Sequence, residues 1–310
     1  MRQVNQQRVE EFLRYHSDSS HALDIDPAND CLRYICDRYE LNPEQRSWLA
    51  FLYATCYSPT TAFFMYNEFP DYETIDDGRL QRWWDANREK VIFQTDRRWT
   101  RSRNQWVDCV RSYREHIQNA GWIQGLAFAK VGDETATQLH NRMWDYFKNV
   151  FTFGRFTMFL YLEMVNTLTS HDLAPTTLNM REAESCRNGV AYALGFDSLL
   201  TKDDKRRDNG QRLSKPEMNG LQQSFDYLRD RVYDDANGGL EQHDNVWSIE
   251  TTLCAYRKFK EGKRWVGYYI ERARRELVQM EQNVQDGVEW DVLWQFRRET
   301  YDPTYLKELS

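Results

Sequence analysis

The stretch from Gly154 to Thr169, GRFTMFLYLEMVNTLT, constrains the fold more than any other part of this chain. Read as a helix it is apolar almost all round, so it has no face to offer water and must be enclosed by other elements. Its greasiest run, Phe156 to Leu162, is bracketed by Arg155 and Glu163, and nowhere does the chain approach the length of a membrane span. The reading is a central helix inside a soluble globule. With 310 residues the chain can bury a large core, either as one extended domain or as two intimately packed halves. Eleven tryptophans and 15% aromatic residues argue against disorder.

Helix punctuation recurs on both sides of that segment. Asn42-Pro43 pairs an N-cap with a first-turn proline and opens a helix through Trp48, Leu49, Leu52 and Cys56. Ser58-Pro59 breaks it and starts another, which ends at the Phe69-Pro70-Asp71 turn. Asp76 and Asp77 open a helix carrying Leu80, Trp83 and Trp84, and longer helices are expected over Arg101 to Gln118 and Asp133 to Asn149. Another runs from Asn179 to Leu194 and stops at Gly195, a residue suited to the left-handed cap. Ser214-Lys-Pro-Glu217 is a capping box for a helix to about Ala236, closed by Asn237-Gly-Gly. Alternating strand patterns and internal repeats are absent. The expected fold class is all-α, a multi-helix globule of about twelve helices. The polar loop from Thr201 to Leu213 is the candidate lid or internal boundary.

Six cysteines show no CxxC pair, which predicts free thiols in a reducing cytoplasm. MRQVNQQRVEEF has no apolar region of a signal peptide. There is no HExxH and no Glu-x-x-His of the di-iron kind, so no metal ligands are assigned. A GxxxxGK loop, a GxGxxG turn and a GxSxG elbow are also missing. An enzyme built from this chain must work with dispersed carboxylates, arginines and aromatic rings.

Charge narrows the partner. The formal net charge of −7 averages over three basic windows. Gln94 to Arg114 holds six arginines against two aspartates, Lys202 to Lys215 six cations against three aspartates, and Arg257 to Arg275 eight cations against two glutamates. An acidic body with concentrated basic patches suits a polyanion bound at one place. In FQTDRRW, Asp96, Arg97, Arg98 and Trp99 form a candidate phosphate clamp with a stacking ring; the alternative is a solvated helix entrance. Arg155 opens the apolar helix on the stripe of Phe159, Leu162 and Asn166, so it needs a buried carboxylate or a ligand phosphate as partner. In CRNGVAYALG, Arg187 and Asn188 precede an interior glycine, Gly189, which close helix packing or ligand approach explains. The segment Tyr57 to Pro70, with Tyr57, Thr60, Asn67 and Glu68, reads as scaffold rather than site.

The sharpest anomaly is Glu250. It falls inside the apolar stripe Val246, Ile249 and Leu253, and a carboxylate there is paired, protonated or functional. Arg257, two turns further on, could neutralise it. Beyond it Lys258, Lys260, Lys263, Arg264, Arg272, Arg274 and Arg275 alternate with Tyr256, Phe259, Trp265, Tyr268 and Tyr269. Cations hold phosphate, and flat rings stack on bases.

In chain order, the segments LNPEQRSWLAFLYATCYSPTTAFFMYNEFPD, WWDANREKVIFQTDRR, FGRF, RNGVAYALG and IETTLCAYRKFKEGKRWVGYYIER resemble the α-glutamyl/putrescinyl thymine pyrophosphorylases, which hypermodify thymine in bacteriophage DNA. That family is similar in proposed fold to helical base-flipping DNA glycosylases, although their LPGVG-type hairpin is absent here. The resemblance implies an N-terminal helical extension over 1–40 and a single all-α catalytic domain over 41–310. It implies DNA in which a kinase has pyrophosphorylated 5-hydroxymethyluracil, and an amine that displaces the pyrophosphate: glycine, glutamate or putrescine. Arginines would steady the leaving group, a carboxylate would deprotonate the ammonium, and rings would hold a flipped pyrimidine. The catalytic residues expected are Glu250, Asp96 and Arg155; those expected on substrate and DNA are Arg97, Arg98, Trp99, Asn188, Lys263, Arg264 and Tyr268. No cofactor is required, while Mg²⁺ on the pyrophosphate is compatible with the chemistry. The implied location is the cytoplasm of the infected bacterial host. A base-excision glycosylase and a non-catalytic nucleic-acid-binding module are the competing readings.

Overall fold

The computed structural model describes residues 3–94, 105–119, 129–175, 178, 180–201, 211–234 and 239–305. All regular structure among the described residues is helical. Among the described residues thirteen α-helices succeed one another: α1 Gln6–His21, α2 Pro27–Arg38, α3 Pro43–Cys56, α4 Pro59–Glu68, α5 Asp77–Asn87, α6 Gln105–Asn119, α7 Ala136–Phe147, α8 Arg155–Leu168, α9 Glu184–Ala193, α10 Lys215–Asp234, α11 Val246–Lys260, α12 Tyr268–Asn283 and α13 Trp290–Thr300. None is long and apolar enough to cross a membrane.

Local chemistry sets most of the boundaries. Asn42 and Gln45 form a reciprocal capping box at α3, with Pro43 where a missing N–H costs nothing. Ser58 and Asp76 cap α4 and α5 with their side-chain oxygens. Thr135 and Gln138 make a second box at α7. Ser214 and Glu217 bond in both directions at α10, as their spacing predicts. One start differs from expectation. Helix α9 begins at Glu184 rather than near Asn179, because the Arg187 guanidinium reaches back to the carbonyls of Met180 at 2.8 Å and Arg181 at 3.3 Å. Those carbonyls are taken by a side chain, so the backbone there turns instead of coiling.

The chain divides into two compact units, Met1–Pro27 with Pro175–Ile270, and Ala28–Ala174 with Glu271–Ser310. Residue 40, the expected boundary, lies inside the second. Within its own unit α1 packs on α9, α10 and α11.

In the second unit α3 pairs with α8. Every residue of α3 from Ser47 to Cys56 is buried, as is α8 from Thr157 to Val165, so the all-apolar helix is central there. Phe51 stacks on Tyr113 with 3.8 Å between ring centroids, and the Tyr113 and Tyr161 hydroxyls bond at 3.0 Å. Glu163, the acid within that helix, accepts from Asn29 Nδ2 at 3.1 Å.

In the first unit α9 lies directly on α11. A Cβ added to Gly189 would meet the Leu253 carbonyl oxygen at 2.1 Å, so close helix packing accounts for that glycine. Tyr15 stacks on Phe259 at 4.4 Å. A polar core lies beneath: His16 Nδ1 pairs with Thr252 Oγ1 at 3.0 Å, and His243 Nδ1 with Ser20 Oγ at 2.8 Å. Burial lowers the His16 pKa to about 4, with His243 adding repulsion.

Candidate functional site

Helix α11 of the first unit carries Glu250. Asn245 caps the helix by accepting from Ser248 N at 2.9 Å, which sets the register that turns Val246, Ile249 and Leu253 inward. Glu250 is turned inward with them and is 7% exposed. Arg257, the neutralising partner weighed for it, donates from Nε to Glu261 at 2.8 Å, one turn further along on the water-facing side. The next residue, Thr251, donates to buried Asp26 at 2.6 Å.

Asn188, expected at the substrate, spends its carboxamide on Thr201. Its Nδ2 donates to the Thr201 carbonyl at 2.8 Å and its Oδ1 accepts from Thr201 N at 2.9 Å. Arg187 adds a bond to the Thr201 hydroxyl at 3.1 Å. This pair therefore pins Thr201 against α9. Residues 202–210 lie outside the described residues.

The cation-aromatic segment forms a compact surface feature of the same unit. Gly262 and Gly267, at φ of 70° and 97°, bracket it. The Arg264 guanidinium lies over the rings of Tyr268 at 4.9 Å and Tyr269 at 4.8 Å and bonds the Tyr269 hydroxyl. Trp265 is 50% exposed with its ring edge-on to Tyr268. Lys263 is exposed and paired with Glu261 at 2.7 Å. The result is a cation held between rings beside an open indole, which offers charge to a phosphate and a flat face to a base.

Asp24, which nothing in its neighbouring residues marks out, holds this feature in place. Its carboxylate accepts from Gly267 N at 2.8 Å, Tyr269 N at 2.8 Å and Ile270 N at 3.0 Å. An anion thus caps the N-terminus of α12 from a distant part of the chain. Burial pushes the Asp24 carboxyl up to about 6, opposed by those backbone bonds. Leu23 and Asp26, at φ of 57° and 47°, show how tightly this loop is turned.

In the second unit Arg155 opens α8, half-buried, with its guanidinium 4.6 Å over the ring of Phe159 one turn on. Asp96, Arg97, Arg98 and Trp99 lie outside the described residues. Gln94, just before them, bonds the Glu276 carboxylate of α12. Glu276 also accepts from Arg272 Nε at 2.9 Å, and Arg272 lies 5.2 Å over the ring of Tyr57. Tyr57 ends α3 in the left-handed conformation, φ 56°. Burial pushes the Glu276 carboxyl above its usual range, and Arg272 pulls it back in part. The Ser58 hydroxyl lies near enough to favour the charged form, yet no hydrogen-bond geometry reaches Glu276 Oε2, which is buried without a partner. Leaving such an oxygen unsatisfied costs on the order of 1–3 kcal/mol. Arg272 and Glu276 are four apart in an ordinary-looking charged helix, and only their burial marks them.

Among the described residues no three His, Cys, Asp or Glu side chains gather as a metal site. Cys31, Cys36, Cys56, Cys109, Cys186 and Cys254 form no disulfide with one another.

The class of protein is defined by sequence. The sequence model of the family described as Amino acid:DNA transferase matches residues 20–263, well over half of the chain, and the chain belongs to that family. A protein of Salmonella phage ViI named Serinyltransferase is 29% identical over 278 residues, covering 86% of this chain and 66% of that protein. The chain thus spans just under two thirds of that relative's length.

Proposed function

We propose that the protein is a DNA-modifying transferase in which an amine displaces pyrophosphate from 5-(pyrophosphoryloxymethyl)uracil in DNA. Its membership of the amino acid:DNA transferase family over residues 20–263 carries this reading. The amine lone pair attacks the exocyclic methylene carbon, the carbon–oxygen bond breaks, and pyrophosphate leaves with the electron pair. One ammonium proton must be removed. Glu250, desolvated within α11, is the carboxylate proposed to take it or to anchor the amine. Arg155 is proposed to meet the departing pyrophosphate, where its planar fork suits two phosphate oxygens. Arg97, Arg98, Trp99, Lys263, Arg264 and Tyr268 are proposed to hold DNA and the flipped pyrimidine, with Asp96 beside them. No cofactor is assigned, and Mg²⁺ on the pyrophosphate is compatible with the scheme. A kinase acting on 5-hydroxymethyluracil DNA would supply the substrate, in the cytoplasm of a phage-infected host.

Turnover tests the reading. Pyrophosphorylated DNA is incubated with the protein and a panel of glycine, serine, glutamate and putrescine, then digested and analysed by mass spectrometry. A new nucleoside whose mass equals 5-hydroxymethyl-2′-deoxyuridine plus the amine less water is the expected product. Release of a free base would make the protein a glycosylase, and binding with no product would make it a non-catalytic module.

A further inference from the structure

We infer that Arg264 and Trp265 seat one unpaired nucleotide of DNA, its phosphate on the guanidinium and its base stacked on the indole. The protein therefore favours opened strands over paired duplex. The inference deepens the transferase reading and rests on it for DNA as the ligand.

Two open groups stand side by side in the turn after α11. Arg264 is half-buried between the rings of Tyr268 and Tyr269 and bonds the Tyr269 hydroxyl, yet among the described residues it makes no ion pair. Its neighbours differ. Arg257 and Lys263 share Glu261, and Lys260 pairs with Glu11 at 2.7 Å. A guanidinium withdrawn from water without a carboxylate keeps its charge and its fork for an anion from outside. Trp265 is open in the same sense. Among the described residues its indole N–H makes no hydrogen bond, and its ring contact is with Tyr268 at 5.3 Å and 83°. An edge contact of that kind covers at most one face of the indole.

The turn holds this pair outward. At the end of α11 Gly262 N bonds the Phe259 carbonyl at 2.9 Å and Lys263 N the Lys258 carbonyl at 2.8 Å, with Gly262 in the left-handed conformation that this ending uses. Tyr268 N closes on the Trp265 carbonyl at 3.1 Å. Asp24 fixes the far side through Gly267, Tyr269 and Ile270. An indole left half in water forgoes the burial that a tryptophan ordinarily provides, and here a firmly tied turn keeps it there.

The matching ligand joins an anion to a flat ring. Phosphate and base are neighbours in one nucleotide, as Arg264 and Trp265 are in the chain. Glu261, Gly262 and Lys263, exposed just before them, offer no apolar surface for a protein partner. Inside a paired duplex both faces of a base are covered by its neighbours, so Trp265 can stack only where a strand is opened. Such stacking tolerates any base, so the contact selects the state of the strand and needs no modified pyrimidine.

The test is fluorescence anisotropy with the full chain and labelled oligonucleotides of ordinary bases: a single strand, its paired duplex, and that duplex with a short central bubble. Native protein should bind the single strand and the bubble about tenfold more tightly than the duplex, the scale of one base stacked on an aromatic ring. Trp265→Leu keeps an apolar side chain and loses the flat face, so this ratio should fall towards one at a native melting temperature. Trp265→Phe should restore most of it. Should Trp265→Leu fail to fold, Trp265→Gln takes its place. Equal native affinity for all three forms, no binding to any of them, or a ratio unchanged in the variant without a ring would each overturn the inference. Binding is read here without turnover. A chain that shows the preference through Trp265 yet forms no product from pyrophosphorylated DNA would sink the transferase reading alone. Product formed by a chain without the preference would sink this inference alone.

Discussion

At the scale of single residues, burial decides which ionisable groups matter. His16 and His140 sit in different units, and burial lowers the pKa of each to about 4. For His16 the native ring stays neutral over a range where the unfolded ring, with a pKa near 6.5, takes up a proton. The unfolded state then binds more protons, so the contribution is complete above about pH 6.5 and is lost as pH falls towards 4, about 3 kcal/mol in all. His16→Gln should therefore flatten the acid side of the stability profile, measured by urea unfolding between pH 7 and pH 5. An acid side as steep as the native one would exclude His16 as a source. Glu250 calls for a different measurement. Glu250→Gln preserves size and most hydrogen bonding, so the fold should melt near the native temperature while the transfer rate falls by about 10²-fold or more, the range of positioned acid–base groups. Near-normal turnover in that variant would remove Glu250 from the chemistry. Its inward place was legible from the stripe of Val246, Ile249 and Leu253. Arg257's choice of Glu261 was not, because i,i+4 and two-turn partners compete on one helix and solvent exposure decides between them.

At the scale of elements, the close approach of α9 and α11 is the feature most exposed to a single atom. Gly189→Ala would drive a methyl group against the Leu253 carbonyl, a backbone atom that cannot swing aside. Overpacking of this kind costs about 1–3 kcal/mol and should lower the melting temperature by several degrees. A variant as stable as the native protein would show that the two helices can part cheaply. The caps at Asn42, Ser58, Asp76 and Ser214 were legible because each works within four residues of itself. The start of α9 was not, since Arg187 reaches back across the turn to the Met180 carbonyl and stops a helix that periodicity alone would extend.

At the scale of the molecule, the proposed binding of DNA would require an acidic chain to gather its cations. The Arg264 cluster with exposed Trp265 and Lys263 is one such gathering. Arg264→Gln should weaken DNA binding across sequences and reduce the slope of log affinity against log salt by about one, read by fluorescence anisotropy over a salt series. An unchanged slope would mean that Arg264 serves only to stack its own tyrosines.

Sequence by itself determined the all-helical class, most helix starts, the central place of the Gly154–Thr169 helix and the family, because periodicity, capping and ordered segments are written in neighbouring residues. Tertiary structure alone decided that the chain interleaves two compact units, that Asn188 braces Thr201, and that Asp24 caps α12. It alone decided that Glu276 keeps one buried oxygen without a partner. The physical reason is common to all four. Each depends on which distant groups exclude water from one another, and a carboxylate has the same letter whether water reaches it or not.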